Sequence, residues 1–192
     1  MRNLASRIRR AAPWTWFAAA NAVAITAYFL LPGDVLPKAV FVAIGLASGI
    51  TILRRARTTS GPRVWVAFGA TQIAWATGDA IWAAYEITGG PAPYPSFADV
   101  LYLAGYPLMM YGVVAHTLRQ VGDDARKVLV DAGMIALVLA IGGWELVVRP
   151  YVAQAHLTPG EDFVGFLYPA MDLALASVSL ILLHGSGARS AS

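Results

Sequence analysis

The chain has 192 residues, of which 58% are hydrophobic and only 13% charged, with a mean hydropathy of +0.60; that balance excludes an ordinary soluble domain and points to a protein whose solvent is lipid. The net charge of +3 and the sequence pI of about 9.4 come from short clusters of Arg and Lys between apolar runs, so they are not a nucleic-acid footprint. With no cysteine, disulfides, thiolate chemistry and Cys-ligated metals are excluded.

Six apolar stretches of roughly 20 residues follow one another, each long enough to cross about 30 Å of hydrocarbon at 1.5 Å per residue. The first, Pro13 to Leu31, follows a basic start but is too long for a signal peptide and lacks a small-residue cleavage site, so it reads as a retained span. The others run Val35 to Leu53, Val64 to Ile87, Ala98 to Leu118, Val128 to Val148 and Phe163 to Leu183. All are predicted to be helices, because open strands leave backbone groups unpaired in lipid.

Basic residues set the orientation. Arg2, Arg7, Arg9 and Arg10 precede the first span, Arg54, Arg55, Arg57 and Arg63 separate the second from the third, Arg119, Arg126 and Lys127 separate the fourth from the fifth, and Arg189 follows the sixth. Against these, only Lys38 and Arg149 fall on the opposite side. The positive-inside rule places both termini in the cytoplasm. The expected fold is therefore an all-α, polytopic membrane helix bundle of about six transmembrane helices, arranged as three hairpins over residues 1–62, 63–120 and 121–192 of one integral membrane domain.

The outer loops differ in kind from the inner ones. Residues 89 to 96, Gly-Gly-Pro-Ala-Pro-Tyr-Pro-Ser, form a proline-stiffened link expected to act as an ordered lid, with Ser96 as N-cap of the helix carrying Asp99. The last outer loop, Pro150 to Asp162, carries His156, Thr158 and the acidic pair Glu161 and Asp162, with Asp162 placed to favour the positive end of the following helix. A faint internal repeat joins the second and third hairpins: Trp82, Tyr106 and Pro107 recur as Trp144, Tyr168 and Pro169 at an offset of 62 positions. On that reading the third to sixth helices form one pseudosymmetric unit, and the first two are an addition to it.

Acidic residues within the spans carry the chemistry. An unpaired carboxylate at mid-bilayer costs about 2.5–3.5 kcal/mol on insertion scales, so such groups face the interior and mark a ligand site, a proton route or a polar staple. Trp75, Asp79, Trp82 and Glu86 step by three and four along one face of the third helix, and Asp99, Tyr102 and Tyr106 do so along the fourth. Tyr168 and Asp172 align on the sixth, while Glu145 and Arg149 are placed to pair on the fifth. Together these ten acidic and aromatic residues predict a pocket in the mid-to-outer half of a four-helix cavity, suited to a cationic, hydroxylated or flat aromatic small molecule. The same residues admit a structural reading, in which the acids and tyrosines are interhelical hydrogen bonds and the aromatics an interfacial belt. No Ser-His-Asp arrangement, metal-ligand cluster or phosphate-cradling loop occurs, so catalysis is not expected and no cofactor is indicated. The small-residue spacings Gly45 to Gly49 and Ala18 to Ala22 suit close helix packing, within the chain or in a homodimer.

The runs WATGDAIWAAYEITGGPAPYPSFADVLYLAGYPLMMYG, DARKVLVDAGMIALVLAIGGWELVVRPYV and FLYPAMDLALAS resemble the multi-span membrane region that precedes GGDEF and EAL domains in actinobacterial cyclic-di-GMP proteins. The resemblance covers Arg63 to about Leu183. Its most specific pieces are Gly78-Asp79 with Trp82, Pro95-Ser96 with Ala98-Asp99, and Tyr102-Leu103 with Gly105-Tyr106-Pro107. It implies a sensory input module of the plasma membrane that relays to a cytoplasmic signalling output domain or protein. No GGDEF or EAL signature follows in this sequence, so the output is expected on a longer chain or on a separate partner. The alternatives are a small transporter or channel subunit, whose carboxylates carry protons or cations, and a structural assembly subunit. The bilayer is the one partner common to all three, and nucleic acid belongs to none.

Overall fold

Residues 13–89, 92–121, 125–150 and 158–187 are described by a computed structural model, and among them every regular element is helical. The helices are α1 (Pro13–Leu30), α2 (Val35–Ala56), α3 (Pro62–Ile87), α4 (Phe97–Val121), α5 (Ala125–Gly143) and α6 (Pro159–Gly187). A wider π turn, Trp144–Val148, continues α5. Each of the six apolar stretches of the sequence is thus a helix. Arg2, Arg7, Arg9, Arg10, Gly90, Pro91, His156 and Arg189, to which the sequence reading gave roles, lie outside the described residues.

Local chemistry accounts for the helix starts. Gly61 holds φ at +104°, a left-handed conformation that suits glycine, and it hands over to Pro62, whose fixed φ and missing N–H suit a first helical position. At α4 the expected Ser96 cap is built the other way round. Asp99 Oδ2 accepts from the Ser96 backbone N–H at 2.6 Å and from its hydroxyl at 2.8 Å, so the carboxylate in the first turn caps the residue before the helix. Glu161 does the same for Thr158 at the start of α6, at 2.6 Å and 2.7 Å. The two capping pairs lie 62 positions apart, the offset of the Trp and Tyr-Pro matches, so the repeat extends to the way its second helices begin.

By length and apolarity alone, α2 and the Phe97–Arg119 part of α4 are sufficient to cross a membrane, with mean hydropathies of 1.9 and 1.4. Thr15–Leu30 and Gly133–Leu146 are shorter apolar helices. α3 and α6 carry Gln72, Asp79, Glu86, Glu161, Asp162 and Asp172, which lower their apolarity.

The helices pack side by side in the order α1, α2, α3, α4, α6, α5. Glycines set how closely they approach. A Cβ on Gly45 would lie 2.8 Å from the Ala76 Cβ, one on Gly49 2.7 Å from the Ile73 Cδ1, and one on Gly69 2.6 Å from the Leu53 Cγ, all across the α2–α3 contact. Across α3–α4, Gly78 faces the Tyr102 ring, Gly105 the Trp75 indole and Gly112 the Phe68 ring. Gly45 and Gly49 therefore pack helices within the chain, and α2 meets α3 as intimately as α4 does, so the first hairpin is no loose addition to the rest. Much of the outside is apolar, including Val23 and Phe29 on α1 and Leu137 and Val138 on α5, each more than 60% exposed.

Candidate functional site

Three tyrosine–carboxylate hydrogen bonds tie the central helices together. Tyr102 on α4 donates to Asp79 Oδ1 on α3 at 2.8 Å, Tyr106 on α4 to Asp172 Oδ1 on α6 at 2.6 Å, and Tyr168 on α6 to Asp99 Oδ1 on α4 at 2.6 Å. The repeat-related tyrosines 106 and 168 each reach across to the other's helix. Their acceptors are not repeat-related, so the symmetry is one of donors only.

Between these bonds lies a cluster of aromatic rings. The Trp75 ring meets Tyr106 edge-on at 5.7 Å, Tyr106 meets Tyr168 at 6.5 Å, and the Trp75 indole N–H donates to the Tyr102 carbonyl at 3.0 Å. Below them the fully buried Thr71 hydroxyl bonds the Ala67 carbonyl at 2.9 Å and lies 3.2 Å from the Gly105 carbonyl. Thr71, Asp99 and Tyr106 are buried in this layer, while Trp75, Tyr102 and Tyr168 are half-buried. Asp99 is 6% exposed, and its two oxygens are taken by Ser96 and Tyr168. Asp172 is the exception, since its side of α6 is exposed although Oδ1 is held by Tyr106.

A cavity does exist, on the other side of α3. It measures about 330 Å³ and is walled by Tyr28 from α1, by Lys38, Phe41 and Val42 from α2, and by Asp79, Trp82, Ala83 and Glu86 from α3. The Lys38 ammonium pairs with Glu86 at 3.0 Å, and among the described residues no cation pairs with Asp79. The ten residues picked from the sequence therefore fall into groups instead of ringing one four-helix cavity. Asp79, Trp82 and Glu86 line the cavity, while Trp75, Tyr102, Tyr106, Tyr168, Asp99 and Asp172 make the aromatic and hydrogen-bonded layer. Glu145 stands apart, exposed and paired with Arg149 at 2.7 Å. The reason is geometric: α3 meets α4 and α2, α4 meets α6, and α5 packs chiefly on α6, so the four helices form a row with no common interior.

Sequence reasoning missed Tyr28, Lys38 and Phe41. Lys38 was read only as an outer charge, and its position four residues into the second apolar stretch was the available signal. Comparison with protein-family models, with curated proteins and with solved structures finds no match to the chain.

Proposed function

We propose that the chain is a multi-pass plasma-membrane input module whose six helices all cross the bilayer with both termini cytoplasmic, and that it senses an amphiphilic organic cation in the Asp79 cavity. The observation that carries this reading is the double position of Asp79. The residue lines the cavity, and its carboxylate holds the Tyr102 hydroxyl that joins α3 to α4. A cation entering the cavity would compete for or reinforce that bond, so occupancy is converted into a change in how two helices are held. That is the minimum an input module requires. The walls suit such a ligand, with Tyr28, Phe41 and Trp82 offering aromatic faces for cation–π contact and Val42 and Ala83 an apolar floor. The large apolar exterior supports immersion in lipid, and the likeness to sensory regions ahead of cyclic-di-GMP enzymes supports relay to a cytoplasmic output.

The test is thermal unfolding of the purified wild type and Asp79→Asn with a series of alkylammonium cations and with membrane extract. Asparagine keeps the acceptor for Tyr102, so the variant folds, but it removes the charge. The wild type is expected to gain about 2.7 kcal/mol at a ligand concentration one hundred times Kd, and the variant to gain nothing. If no addition protects the wild type, the sensor reading falls and Asp79 is a staple.

A further inference from the structure

The basic cluster between α2 and α3 plays no part in the Asp79 cavity. The last turn of α2 carries Arg54 and Arg55, with Arg57 as its C-cap, and Arg54 and Arg57 are three apart and share a face. Both border a groove of about 580 Å³ whose floor is Ile50, Leu53 and Val66. Ile50 and Val66 are 43% and 47% exposed, so the floor is open apolar surface. No carboxylate among the described residues pairs with either arginine. A third cation, Arg119 of α4, lies against Gly61 at the same end of the hairpin.

We propose that this groove seats an anionic phospholipid, with its phosphate held between Arg54 and Arg57 and an acyl chain along Ile50, Leu53 and Val66. The inference rests on the chain lying in a bilayer, not on the Asp79 cavity. Two guanidinium groups without an acid between them call for an anion, and arginine's planar fork matches phosphate oxygens. The apolar floor calls for hydrocarbon directly beneath that anion. A phospholipid supplies both on one molecule, whereas a free phosphate leaves the floor bare. An added ammonium, as in a zwitterionic headgroup, would be set against the arginines, so an anionic headgroup is favoured.

The test uses native mass spectrometry of the full chain in detergent, titrated with phosphatidylglycerol or phosphatidylcholine. Phosphatidylglycerol is expected to bind more tightly than phosphatidylcholine. Arg54→Gln with Arg57→Gln should weaken it by roughly thirtyfold, about 2 kcal/mol at tenfold per 1.4 kcal/mol. Arg55→Gln with Arg63→Gln removes the same charge from outside the groove and should leave binding unchanged, and Val66→Trp should block the acyl chain with every arginine intact. Equal loss in the two double variants would mean a diffuse surface field and overturn the site. So would equal binding of the two lipids, or displacement by inorganic phosphate. Should the Arg54/Arg57 variant not fold, Val66→Trp decides alone, and an undiminished preference for phosphatidylglycerol in it refutes the proposal.

Discussion

Tyr106 is the residue on which most of the central layer converges. It is 8% exposed, its ring lies between Trp75 and Tyr168, and its hydroxyl reaches the Asp172 carboxylate. On the proposed reading that the helices lie in lipid, the reward for burying such a ring is small, because the surroundings are as apolar as the core, and interhelical hydrogen bonds carry more of the specificity. Tyr106→Phe keeps the ring and deletes only the donor. A double-mutant cycle of unfolding free energies for Tyr106→Phe and Asp172→Ala, which removes the acceptor, should give a coupling of about 0.6–1.7 kcal/mol, with none between Tyr106→Phe and Asp79→Ala. A null first cycle would show that the 2.6 Å bond contributes nothing. At this scale the sequence was informative about faces and poor about partners. Steps of three and four placed Asp79 and Trp82 on one stripe, but packed helices cross, so one stripe meets different neighbours at different heights. Trp75 meets α4 and its tyrosines, while Glu86, at the C-terminal end of α3, meets Lys38 of α2.

Helix ends were more legible than helix contacts, because a cap is decided within four residues. Ser96 with Asp99 and Thr158 with Glu161 both fit the pattern of a small hydroxyl followed three residues later by an acid. What could not be read was the direction of the side-chain bonds. Glu161 lies ahead of the apolar run of α6 and gives a pH test. Its carboxyl is held below the ordinary glutamate value by the Thr158 hydroxyl and then by the Thr158 backbone N–H. A depressed folded-state pKa means that the contribution is present above the unfolded value and is lost as pH falls through the folded one. Amide protection in the first turn of α6 should therefore decline with acidification below the ordinary glutamate range, and Glu161→Gln should flatten that dependence. A turn whose protection is unchanged by acid in the wild type would show that Glu161 does not cap it. The π turn at the end of α5 had no such local signature, and the sequence reading carried the span straight through it.

For the whole molecule, composition was enough to indicate apolar helices, yet not to reveal that they line up in a row. Closing four helices around a cavity requires each to have two neighbours within the set, and α5 has only α6 as a substantial one. That depends on which glycine meets which side chain, and hydropathy averages discard it. Orientation is the property best argued at this scale. Of the basic residues assigned to the outer side, Lys38 is paired with Glu86 and Arg149 with Glu145, so both are locally neutralised. Arg54, Arg55, Arg57 and Arg63 at the opposite end have no acid partner among the described residues. The asymmetry is thus sharper in three dimensions than in the one-dimensional count, and on the proposed six-span reading it decides which end stays behind when helices insert. Reporter fusions at Met1, after Thr58 and at Ser192 should all report cytoplasm, and one after Pro93 should report the outer side. A cytoplasmic signal at Pro93 would mean an even number of crossings before it, and an external signal at one terminus alone an odd number in all; either would remove the six-span arrangement together with the outward-facing Asp79 cavity built on it.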